Sequence, residues 1–391
     1  MTGSGGTIAI NTRNLTLQNG GKIDTGTIDR GSAGSIAINS SDSVTVAGTR
    51  SIISAASFGS GTGGSLSINT GTLTIRNGGS VITSTAGQGN AGNLIVKAAN
   101  SVNVTDSGLL STGTLGTGAG GNLSIETKTL NIQNSGKVFS SSLDASTFDF
   151  SFLDPNIYSP ESIELIRNSV NAAAQGNFTQ GNSGNLTVTA TDSVNVATNG
   201  LLSTQAYGQA SAGNLIVTTG QLTLQDAGTI SATSFGDGFG GNIQLQANSL
   251  SLTNDGLISS RSQGANRAGN ISINVRDDLQ SSRGDILATS VQSGGGDINI
   301  TAGDRTAPII PTAPAKPELV EAQGWVYGAK GEVILTASAS TVTPQTPFLA
   351  PPSCEGDTYG EPEPLQRKHS RSVSNRGKHH SNLLVRNKGN Q

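Results

Sequence analysis

One pattern constrains this chain more than any other: a glycine, a small residue and two alternating aliphatics recur along it. The first copies read Gly6-Thr-Ile-Ala-Ile10, Gly34-Ser-Ile-Ala-Ile38, Gly64-Ser-Leu-Ser-Ile68, Gly92-Asn-Leu-Ile-Val96 and Gly121-Asn-Leu-Ser-Ile125. Gly184-Asn-Leu-Thr-Val188, Gly213-Asn-Leu-Ile-Val217, Gly241-Asn-Ile-Gln-Leu245, Gly269-Asn-Ile-Ser-Ile273 and Gly296-Asp-Ile-Asn-Ile300 follow. The steps between these glycines are 28, 30, 28, 29, 63, 29, 28, 28 and 27. A near-constant period marks a repeat architecture, in which one unit cannot bury its apolar face alone and stacks on its neighbours. The step of 63 is one repeat plus about 34 added residues.

Each repeat carries three strand signals. About nine residues after the first comes a second period-two pair, such as Leu15/Leu17, Val44/Val46, Leu73/Ile75, Leu130/Ile132 and Leu222/Leu224. A turn rich in Asn, Asp and Gly leads to a third, represented by Ile53, Ile82, Leu110, Phe139, Leu202, Ile230 and Ile258. Period-two aliphatics bounded by such turns are strands. Three strands in a repeat near 28 residues predict an all-β, right-handed parallel β-helix of about ten coils over residues 1–303. A propeller blade needs about 40 residues, more than this period supplies.

Composition agrees with a narrow aliphatic interior. Aromatics make up 4% and charged residues 13% of the chain, while Gly reaches 53 of 391 residues. No run of about 18 apolar residues is present to form a spanning helix. A formal charge of −3 argues against a nucleic-acid surface. Cys354 stands alone, so neither a disulfide framework nor a cysteine metal cluster is available. The column Asn93, Asn122, Asn185, Asn214, Asn242 and Asn270 is expected to form a side-chain amide ladder. The glycine ahead of each is expected to supply a positive φ. Asp106 and Asp226 share a column with Asn19, Asn77, Asn134 and Asn254, which marks them as turn formers.

The interruption spans about 143–181 and holds Phe148, Phe150, Phe152 and Tyr158. Ser159-Pro160-Glu161 reads as a helix start, and Ile163, Ile166 and Val170 follow at helical spacing. One helical loop on the rod is expected. It covers its own coil, presents Phe148, Phe150, Phe152 and Tyr158 to a partner or glycan, or is disordered. Residues 304–320 form a Pro-rich linker, 321–354 a hairpin and an extended segment, and 355–391 a disordered basic tail.

The body lacks the groups that hydrolytic chemistry needs. All three His lie at 369 and beyond, and no nucleophile motif or metal spacing appears. No catalytic, cofactor-binding or metal-binding residue is assigned, and a non-enzymatic role is expected. The alternative is a carbohydrate-active β-helix enzyme, a polysaccharide lyase or hydrolase, which requires two acids and a base converging on adjacent coils.

The run Gly-Asn-Leu-x-Val, Ser-Val-x-Val and Gly-Leu-Leu-Ser-Thr resembles the filamentous-haemagglutinin type of two-partner-secretion exoprotein, in its cyanobacterial branch. Val320-Glu-Ala-Gln-Gly-Trp-Val, Gly331-Glu-Val-Ile-Leu-Thr-Ala and Pro352-Ser-Cys354 resemble the way those proteins end. The resemblance covers residues 1 to about 354. It implies an extracellular or outer-surface adhesin, exported through an outer-membrane secretion pore and contacting a polysaccharide or other cell-surface ligand. Met1-Thr-Gly-Ser-Gly-Gly enters mid-repeat without a signal peptide, so the chain resembles the C-terminal part of such a protein. Its opening strand edge is expected to support end-to-end self-association.

Overall fold

In the computed structural model, described residues are 3–28, 30–142, 164 and 181–303, plus the backbone of four short strands beyond 325. The inward aliphatics decide the architecture. Leu186 pairs with Leu215, Leu215 with Ile243 and Ile243 with Ile271, always in parallel register. Like stacks on like, one strand spacing of about 4.8 Å apart. Each such side chain is at most 1% exposed and contributes about 1.5–3 kcal/mol of burial before entropy is subtracted. The chain is a parallel β-solenoid.

Two sheets run along it. The first, of 14 strands, stacks β1 (Ile8–Leu17), β3 (Ile36–Ala47), β5 (Leu66–Arg76), β7 (Leu94–Thr105) and β9 (Leu123–Gln133). It continues through β11 (Leu186–Ala197), β13 (Leu215–Gln225), β15 (Ile243–Thr253), β17 (Ile271–Val275) and β20 (Ile298–Ala302). The separate β18 (Leu279–Ser282) also pairs with β15. The second, of 10 strands, begins with β2 (Lys22–Asp24), β4 (Ile52–Ser57), β6 (Ser80–Thr85), β8 (Leu109–Thr114) and β10 (Lys137–Ser142). Then come β12 (Leu201–Ala206), β14 (Thr229–Ser234), β16 (Leu257–Ser262), β19 (Asp285–Ser290) and β21 (Val326–Gly328).

Three strand segments per rung were expected, but most rungs have two strands. The first and second segments merge into one long strand that bends at a bulge, as between Asn39 and Ser43 or Ala190 and Ser193. Small inward residues sit at the bend: Ser40, Thr70, Ala98, Thr127, Ala190 and Thr219. Where that residue is Ser or Thr, its hydroxyl can pin the bend, as Ser40 Oγ does to Ser43 O at 2.8 Å. The bend also absorbs the variable period. It is Ala190-Thr-Asp-Ser193 in a rung of 29 residues and Thr219-Gly-Gln221 in one of 28.

The third segment differs in one respect as well. Val81 and Val138, both fully buried, fill the inward column at β6 and β10, so Ile82 and Phe139 point outward. Strict alternation forces this, because a one-residue slip exchanges the two faces.

The interruption leaves the stack intact. β9 pairs directly with β11 and β10 with β12, in register, across it. Residues 143–163 and 165–180 lie outside the described residues, and the expected helix with them; Glu164 alone is described, exposed and with helical backbone. Beyond 303, β21 pairs with β19, and β22 (Glu332–Ala337) pairs with β20, both in parallel. The expected hairpin is therefore not formed; each strand instead prolongs a different sheet, because the last rung offers two open edges. Within 355–391, β23 (Val373–Ser374) and β24 (Val385–Asn387) pair with β22, and the rest lies outside the described residues.

Candidate functional site

A solenoid can recognise something only through its outer columns and turns, so the turns are built up here first. Between long and short strands the chain reverses through two residues with positive φ. These are Asp106/Ser107, Asn134/Ser135, Asp226/Ala227 and Asn254/Asp255, with φ from 48° to 66°. The following glycine N donates back across each turn, as Gly228 N does to Gln225 O at 2.9 Å. Two left-handed central residues and this bond define a type I′ turn, where Asn and Asp are tolerated best. The expected turn-forming role of this column holds. Within it Asn134 Nδ2 donates to Asp106 Oδ1 at 3.0 Å and Asn254 Nδ2 to Asp226 Oδ1 at 3.1 Å. Placing an amide beside each carboxylate avoids stacking two like charges about 4.8 Å apart.

The other turn joins each short strand to the next long strand, and it is built on glycine for a reason the repeat alone does not reveal. Gly213, Gly241 and Gly269 are not in the positive-φ region. A Cβ on any of them would instead collide with the carbonyl oxygen of the glycine one rung earlier. Close rung-to-rung approach, rather than a left-handed turn, demands the glycine. Beside it stands the asparagine column. It bonds differently from a side-chain amide ladder: each Oδ1 accepts the backbone N–H of the next asparagine. Asn122 N donates to Asn93 Oδ1 at 2.9 Å, Asn214 N to Asn185 Oδ1 at 2.8 Å and Asn270 N to Asn242 Oδ1 at 2.8 Å. A buried hydroxyl column then ties the short strand to the glycines, with Thr83 Oγ1 donating to Gly92 O at 2.7 Å and Thr204 Oγ1 to Gly213 O at 2.6 Å. Thr204→Val is expected to lower stability by about 1–2 kcal/mol, because it leaves a buried carbonyl short of a donor. Urea denaturation of the two proteins measures this, and equal midpoints would remove the column's energetic role.

The same glycine-rich turn carries the candidate recognition surface. The residue after each short strand forms a column containing Phe58, Leu115, Tyr207, Phe235 and Val291. Tyr207 and Phe235 stack, with ring centroids 4.7 Å apart and planes 17° from parallel, as one rung spacing dictates. Phe239 follows on the same turn. Of the four large hydrophobics exposed among the described residues, Phe235, Phe239 and Val291 all belong to this turn, and only Ile95 lies elsewhere. The interruption emerges here too. β10 ends at Ser142, and Gly181 N donates to Gly116 O at 3.0 Å where the chain re-enters. Phe148, Phe150, Phe152 and Tyr158 lie outside the described residues. The sequence did not mark Tyr207, Phe235 and Phe239 as contact residues, although aligning the residue after each third strand would have placed Tyr207 and Phe235 in one column.

Charged groups are engaged singly or in pairs. Lys97 Nζ lies 2.9 Å from Glu126 Oε2 on the next rung, and Arg13 Nε lies 3.9 Å from Asp42 Oδ2. Asp277 accepts hydrogen bonds from the Arg276 guanidinium and raises its already high pKa. Exposed pairs of this kind contribute little to stability. Among the described residues no group of three His, Cys, Asp or Glu could hold a metal ion. No described helix is long and apolar enough to cross a membrane. The fold and surface thus define a parallel β-solenoid with one interrupted, aromatic-bearing turn column. No family model, curated protein or solved structure matches the chain.

Proposed function

We propose that this chain is the shaft of a non-enzymatic, secreted or cell-surface adhesin of the filamentous-haemagglutinin type. In this reading it reaches the outer surface through an outer-membrane partner pore and contacts a polysaccharide or other cell-surface ligand along its glycine-rich turns. One observation carries the reading: the interruption, Phe235, Phe239 and Val291 fall on the same turn column of an otherwise polar, regular stack. Recognition concentrates on irregular turns held by a rigid scaffold, and aromatic residues are the usual anchors of an interface. Four of the described carboxylates, Asp106, Asp226, Glu126 and Asp42, support it too, since each is engaged by an amide or a cation.

Deletion of 143–176 tests the reading. Four residues, Asn177 to Gln180, would then bridge Ser142 to Gly181, where the uninterrupted turn uses three between Thr114 and Gly118. The shortened chain is expected to keep its far-UV circular dichroism and lose most of its binding to cells or immobilised polysaccharide. Phe239→Ala is expected to weaken that binding further. Unchanged binding in both variants overturns the assignment of this turn column, and cleavage of a polysaccharide by the intact chain overturns the non-enzymatic reading.

A further inference from the structure

We propose that the ligand of the glycine-rich turns is an acidic polysaccharide, one whose sugars carry carboxylates, a proposal that rests on the adhesive reading of those turns. Phe235 and Phe239 are exposed there, at 37% and 51%. Gly240 N, beside Phe239, donates to Arg267 O at 3.0 Å. Phe239 and Arg267 therefore occupy adjoining rungs, about 4.8 Å apart along the rod. Arg261 stands in register with Thr233, two residues ahead of Phe235. Both arginines are exposed, and among the described residues neither has a carboxylate partner, whereas Lys97, Arg13 and Arg276 each do. Unpaired cations beside exposed aromatics are complementary to an anionic ligand with an apolar face.

The polar groups are held in place. Arg267 Nη2 donates to Gly295 O at 3.3 Å, and the guanidinium passes over Gly294, where a Cβ would lie 3.2 Å from Nε. A planar fork fixed in this way matches the two oxygens of a carboxylate. Asp237 Oδ1 accepts Ala265 N at 3.2 Å, and Oδ2 has no donor among the described residues. Asp237 is thereby fixed as an acceptor for a sugar hydroxyl. Two cations against this one carboxylate make the ridge locally positive, in a chain whose formal charge is −3. A uronate ring offers a C–H face, hydroxyls and a carboxylate, and Phe239, Asp237 and Arg267 answer these in turn. Glycines alternate with the exposed residues along the turn, at 236, 238 and 240. The contact is a narrow ridge, which suits a polymer laid along the rod better than the broad face of a protein partner.

Calorimetric titration of the full chain with polygalacturonate and with its methyl ester tests the proposal. The acid polymer is expected to bind, and to bind less tightly as salt is raised. The ester keeps the sugar but loses the charge, and is expected to bind at least about tenfold more weakly. Arg267→Gln is expected to raise the Kd for the acid polymer at least about tenfold with unchanged circular dichroism, and Arg267→Lys to recover part of that loss. Lys128→Gln, an exposed cation of β9, is expected to change nothing. No binding of the acid polymer, equal binding of acid and ester, or an Arg267→Gln chain that binds like the parent would overturn the proposal. The adhesive reading survives any of these if Phe239→Ala still weakens binding to cells. Cells bound equally by the parent, Phe239→Ala and the 143–176 deletion would overturn that reading, and the proposal with it.

Discussion

Gly213→Val is expected to cost at least about 3 kcal/mol and to leave little cooperatively folded protein. The new Cβ would overlap the carbonyl of Gly184, and that carbonyl cannot retreat, because the rungs on both sides fix its position. Side chains can repack around extra methyl groups, but a hydrogen-bonded backbone in a stack has nowhere to move. Gly6→Ala is the matched control. No atom lies within 4 Å of a Cβ built there, so its effect should stay within about 0.5 kcal/mol. Urea unfolding followed by circular dichroism distinguishes the two. Equal midpoints would mean that the glycine column is kept for turn conformation and not for close approach.

The second large effect is expected from Leu215→Asp, at about 5 kcal/mol or more near neutral pH. Leu215 is fully buried between Leu186 and Ile243, with no polar partner in its column. A carboxylate there is desolvated without compensation. Burial raises its folded-state pKa above the unfolded value of about 3.9. The folded state therefore favours the protonated form, and the variant loses stability as pH rises through and beyond that unfolded value. Its deficit relative to the parent should be smaller near pH 4 than at pH 7. Thr218→Asp, on the exposed face of the same strand, should be nearly neutral. A Leu215→Asp deficit independent of pH would argue that the site admits water.

The candidate surface was legible only in part. The interruption stands out because it breaks a period that can be counted, and its aromatic content marks it as a contact candidate. Tyr207, Phe235 and Phe239 do not stand out, since each sits in a glycine-rich turn that the repeat itself requires. Which of them is exposed depends on what stacks beside it. Leu115 is 1% exposed, yet Phe235, in the same column, is 37% exposed.

The sequence by itself determined the periodicity, the parallel stacking of like residues, the inward aliphatic columns of the long strands and the Asx turns. Each follows from local alternation and from repetition, and both can be read along the chain. Only the tertiary structure decided that two strand segments fuse across a bulge, and that Val81 and Val138 turn inward in place of Ile82 and Phe139. It also decided that Asn93 and its column accept backbone N–H groups, that Gly213 is needed for close approach, and that β21 and β22 extend different sheets. The reason is common to all of these. Periodicity specifies what each residue offers, but a hydrogen-bond partner, a steric limit or a shared edge belongs to the neighbouring rung, about 28 residues away in the chain and one strand spacing away in space.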